Sequence, residues 1–93
     1  MAAVIDPGLP GADLVTGGLD DLAAGRESVS SLLVEIGAPR LRDLGVDVPA
    51  SRPLPEHRLY TLLARDDANS AHSRYNALIR RLVSFERALA CGG

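Results

Sequence analysis

Lysine and tryptophan are absent from this 93-residue chain, cysteine occurs once, and the only aromatic residues are Tyr60, Tyr75 and Phe85. A lone Cys91 cannot form an internal disulfide, so the chain is not a disulfide-stapled scaffold and suits a reducing, cytoplasmic compartment. Three rings are too few to build both a core and an aromatic platform for stacked bases. There is no run of 18 apolar residues, and no segment is expected to span a membrane. The opening MAAVIDPGLPGADLV has neither a basic n-region nor an apolar h-region, and no signal peptide is expected there. All basic residues are arginine, which reads as the codon habit of a GC-rich bacterial genome rather than as a phosphate-binding design.

What is present is aliphatic. Fifteen Leu and thirteen Ala dominate an apolar fraction of 46%. These are strong helix formers, whereas the β-branched and aromatic residues that fill strands are scarce. The length allows one small domain and excludes a two-domain enzyme. The net charge is only −2, but it is unevenly placed: residues 1–50 carry eight acids and three Arg, and residues 51–93 carry four acids and seven Arg. Such asymmetry predicts that the two halves face each other, within one chain or across a dimer.

Pro7, Gly8, Pro10 and Gly11 make residues 1–11 a flexible N-terminal arm, leaving 12–93 as a single domain. Val15, Leu19, Leu22, Arg26, Val29, Leu33 and Ile36 alternate in steps of four and three, the stripe of one helix. Gly17 and Gly18 weaken its start, so the helix is expected over 18–36, with Gly37 and Pro39 as its stop. Pro39 opens a short helix over 39–44, and the proline-rich 46–54 is an extended connector. A helix over 55–66 starts at Pro55, and a last one over 70–90 carries Tyr75, Leu78, Leu82, Phe85 and Leu89. Asp66, Asp67, Asn69 and Ser70 favour a break between these two over one continuous helix.

The expected fold is therefore all-α: a small antiparallel bundle of three main helices and one short one. So small a core gains from oligomerisation, and the sustained stripes suit a second copy. The expected homodimer interface holds Val15, Leu19, Leu22, Arg26, Val29, Leu33, Tyr75, Leu82 and Phe85. Arg26 interrupts this stripe, either snorkelling at its edge or fixing register through a buried ion pair.

Several chemistries can be tested against the residues. A helix-turn-helix fails, because its second helix would be one turn beginning at Pro39. Arg74, Arg80, Arg81 and Arg87 form a basic face on the last helix that could track phosphates; the simpler reading pairs them with Asp20, Asp21, Glu27 and Glu35. His57 and His72 lack a metal-ligand spacing, and neither metal nor cofactor is expected. Cys91, at a helix C-terminus, is expected to be an inert thiol.

Arg65-Asp66 followed by five residues and His72 is similar to the Arg-x4–6-His signature of HEPN-type ribonucleases. That resemblance implies an all-helical, dimeric, metal-independent ribonuclease, with Arg65 on the scissile phosphate, His72 in proton transfer and Tyr75 as an accessory. The reading favoured by the residues is a cytoplasmic protein that works by protein–protein association, with no enzyme class supported. It is expected to bind a second copy first, with a role as adaptor or accessory subunit. The ribonuclease and a nucleic-acid accessory using the basic face are the alternatives.

Overall fold

A computed structural model describes residues 5–49 and 52–92 of the chain, and its regular structure is four helices packed against one another. They are α1 (Ala12–Ala23), α2 (Val29–Asp43), α3 (Pro55–Asp66) and α4 (Ala71–Gly92). There is no strand among the described residues, as the leucine- and alanine-rich composition predicts. None of the helices is long and apolar enough to cross a membrane.

The expected helix over 18–36 is instead two helices. α1 ends at a turn in which Gly25 takes φ +75, its N–H bonding the Leu22 carbonyl and the Arg26 N–H bonding the Asp21 carbonyl at 2.8 Å. This paired closure is the Schellman motif, and it needs the left-handed conformation that glycine adopts without a Cβ penalty. Ser28 then caps α2. Its Oγ accepts the Ser31 N–H at 3.0 Å, and Ser31 Oγ accepts the Ser28 N–H at 2.7 Å, a reciprocal capping box. The Ser28 hydroxyl also donates to Asp21 Oδ2 at 2.6 Å, so a carboxylate on α1 fastens the start of α2.

The expected short helix over 39–44 is the end of α2, which runs through both Gly37 and Pro39. Gly37 has no left-handed φ and does not stop the helix. Its bare backbone admits α4: a Cβ there would lie 3.0 Å from both Leu82 methyls. Pro39 removes one helical N–H but its ring lies on the solvent side. The helix stops seven residues later than expected, at a second Schellman closure around Gly45.

The connector that follows is pinned rather than loose. Val46 and Val48 are buried, and Arg42 donates to the carbonyls of Val48 at 3.1 Å and Pro49 at 2.7 Å. α3 begins at Pro55, as expected, after Leu54 in the left-handed region at φ 56. Asp67 ends the hairpin's first arm: its Oδ1 accepts the Asn69 N–H at 3.1 Å and its carbonyl accepts the Ser70 hydroxyl at 3.4 Å. The run of short polar residues thus breaks α3 from α4.

Phe85, Leu32, Leu33, Leu41, Leu59, Leu63 and Val15 are the large side chains closed off from solvent, one cluster fed by all four helices. Of the expected N-terminal arm over 1–11, residues 1–4 lie outside the described residues, and the rest makes contacts with itself and the core. Asp6 closes a turn by accepting the Gly8 N–H at 2.9 Å, and Ile5 and Leu9 pack against the core.

Candidate functional site

The two oppositely charged halves of the chain meet within a single molecule. Arg81 of α4 reaches Asp13 of α1 at 3.0 Å, whereas Arg74 pairs within its own half, with Asp66 across the α3–α4 turn at 2.6 Å. Of the acids expected to meet these arginines, Asp20 forms no ion pair among the described residues and the other three are engaged elsewhere. Asp21 holds Arg26 at 3.0 Å as well as Ser28, while Glu27 and Glu35 face Arg52 and Arg58. The hydrogen bond from Ser28, and then the one from Arg26, hold the Asp21 carboxyl below its ordinary value. Of the basic face, Arg80 and Arg87 are exposed and form no ion pair among the described residues.

The interface residues divide sharply. Val15, Leu33, Leu82 and Phe85 are consumed by the core of one chain and have no surface to offer a second copy. Leu19, Leu22, Val29 and Tyr75 pack against that core and stay partly open. Arg26 is neither at the edge of a helical stripe nor in a buried pair: it lies exposed in the α1–α2 turn. Tyr75 meets Tyr60 of α3 in a tilted pair with ring centroids 6.0 Å apart. Burial, and then the nearby Glu56 charge, raise the Tyr75 hydroxyl above its ordinary value.

His72 is exposed in the first turn of α4, its Nε2 3.2 Å from the Asn76 amide. Arg65 lies in the last turn of α3 and lines a groove whose other walls include His57 but not His72. Asp66, beside Arg65, is occupied by Arg74.

The most developed polar assembly centres on Glu35, which is only 2% exposed. Its Oε2 accepts the Arg52 backbone N–H and its Oε1 the Arg52 guanidinium, both at 3.1 Å. Arg52 also faces Glu27 at 3.6 Å, and Glu27 in turn pairs with Arg58 of α3. This chain of charges ties the connector to α2, to the α1–α2 turn and to α3. Its sequence signal was Glu35 itself, an acid inside the apolar run Leu32-Leu33-Val34-Glu35-Ile36, which burial obliges to find a cation. A groove opens on each side of it. One, of about 230 Å³, is lined by Leu22, Gly25, Arg26, Pro49 and Arg52. The other, of about 240 Å³, is lined by Glu27, His57, Arg58, Thr61, Leu62 and Arg65.

Glu86 on α4 supplies a pH dependence. Burial raises its carboxyl above the ordinary value, and the Arg40 charge only partly offsets this. An acid that holds its proton more tightly when folded contributes stability that is fully present below its unfolded value near 4.5 and lost as pH rises through the folded one. Glu86→Gln removes that loss. Relative to the parent chain, the variant is expected to gain stability in urea titrations at about pH 7 and to gain little at about pH 4. An equal gain at both would show that ionisation of Glu86 is not the cause. Asp21, shifted the other way, contributes stability that is fully present above its unfolded value near 3.8 and is lost as pH falls through its lower folded one.

Comparison with protein-family models, with curated proteins and with solved structures finds no match to this chain.

Proposed function

We propose that this chain works by association with another protein chain, a second copy being its first partner, through the tyrosine face of the α3–α4 hairpin. The observation that supports this is the placement of the aromatic rings. Of three, only Phe85 is fully buried; Tyr75 packs partly against the core, and Tyr60 beside it is 41% exposed. A chain this poor in large side chains loses core area by leaving Tyr60 outside and Tyr75 only half covered. Tyrosine is also the residue type that protein interfaces favour, because its rigid ring covers much area at little entropic cost and its hydroxyl tolerates water. Paired about a two-fold axis, one such face meets its own copy, with Tyr60 near the axis. The charge asymmetry gives this reading no support, since the ion pairs that join the two halves form inside one chain.

Light scattering across a dilution series tests the proposal. The parent chain is expected to move between the 9.8 kDa monomer and twice that mass. Tyr60→Ala, at a site open enough to spare the fold, is expected to weaken the dimer at least tenfold, about 1.4 kcal/mol. A monomer at every concentration, or a dimer indifferent to Tyr60, would overturn it.

A further inference from the structure

We propose that the groove between α3 and the α1–α2 turn is a binding site for a phosphomonoester group. It lies on the flank of α3 away from the tyrosine face and does not depend on that face being an interface. His57, Thr61 and Arg65 are spaced four residues apart, which stacks them in one row along the helix. Arg58 and Leu62 line the same groove beside that row, and Glu27 is its one acid. Glu27 is already held between Arg58 and Arg52, and Asp66, next to Arg65 in sequence, is held by Arg74. Arg65 therefore brings an exposed guanidinium to the groove with no ion pair among the described residues.

The donors also indicate the class of anion. The Arg65 guanidinium, the Arg58 N–H groups that Glu27 leaves over, a hydroxyl and an imidazole offer more hydrogen bonds than the two oxygens of a carboxylate readily accept, and suit the three terminal oxygens of a phosphate ester. His57 is the third residue of α3, where the positive end of the helix dipole adds to the attraction. At about 240 Å³ the groove is smaller than the clefts that enclose drug-sized ligands. It holds the phosphate head and leaves the rest of the molecule outside, with Leu62 as its apolar wall.

The probe is inorganic phosphate, titrated at low ionic strength into the full-length chain and followed by amide chemical shifts. The expected result is saturable movement confined to Glu27 and residues 57–65. Arg65→Gln, at an exposed site, is expected to weaken binding at least tenfold, and Thr61→Val by a smaller factor. Arg80→Gln and Arg87→Gln, on α4, should leave it unchanged. O-phosphoserine and adenosine monophosphate should bind about as well as phosphate, because the groove takes only the group they share. Three results would each overturn the site: acetate binding as tightly as phosphate, adenosine moving the same signals, or Arg65→Gln binding like the parent.

Discussion

Alanine at Gly18 is expected to destabilise the chain by about 3 kcal/mol, whereas alanine at the adjacent Gly17 is expected to stabilise it by about 0.5–1 kcal/mol. Both glycines lie inside α1, where either should cost helix stability relative to alanine. Their surroundings differ. A Cβ on Gly18 would sit 2.3 Å from the Ser30 carbonyl oxygen and 2.5 Å from a Val34 methyl, while one on Gly17 would meet nothing within 4 Å. The obstacle at Gly18 is backbone, which no rotamer change can move aside, so α1 and α2 must separate and loosen the seam between them. At Gly17 the alanine gains helix propensity and meets no neighbour. In a domain of this size 1 kcal/mol moves Tm by roughly 4–8 °C, so melting curves should shift in opposite directions for the two variants. A Gly18→Ala chain that melts with or above the parent would mean that α1 does not approach α2 so closely.

That pair of glycines also shows where sequence reading succeeds and where it stops. Periodicity identified the apolar faces correctly, because burying one stripe per helix is what the 3.6-residue repeat requires. It could not find the break between α1 and α2. Leu22 and Val29 are seven residues apart, two helical turns, so the stripe stays in phase across Gly25 and Ser28 as if the helix continued. Gly18 weakened the expected start of a helix when its role is close packing between helices, and Gly37 looked like a stop for the same reason. A glycine that ends a helix and one that admits a neighbour are indistinguishable until the neighbour is known. The start of α3 had no such ambiguity, because Pro55 can only start it; its end did, since the spacing runs on through Ala64, Ala68 and Ala71 to Tyr75, and only the short polar side chains at 66–70 favoured a break.

Charge was legible as a sum and illegible as a set of pairs. The opposite signs of the two halves predicted that they meet, and they do, through Arg81 with Asp13 and Arg58 with Glu27. Which arginine meets which acid depends on helix crossing and on the connector's path, and neither leaves a local signal. The groove residues His57, Thr61 and Arg65 had the right helical spacing to be seen together. What the sequence lacked was Glu27, thirty residues before His57, whose position depends on the turn at Gly25.

The second large effect lies in the buried ion pair, and it should be asymmetric. Arg52→Ala is expected to cost about 2–3 kcal/mol, toward the lower end of what breaking a buried pair costs because Arg52 is 46% exposed. It leaves the Glu35 carboxylate, with a side chain 1% exposed, holding only one backbone N–H in an apolar run. Glu35→Met, of similar volume, is expected to cost less than about 1 kcal/mol or to stabilise. The arginine it strands already reaches water and still faces Glu27 at 3.6 Å, so no uncompensated charge stays buried. The double variant separates the pair from its parts: once Glu35 is methionine, removing Arg52 should cost little more, and the coupling in a urea-titration cycle should approach the whole cost of Arg52→Ala. If the two single variants are equally unstable and their effects add, the pair contributes nothing through its charge, and Glu35 is held in place by packing alone.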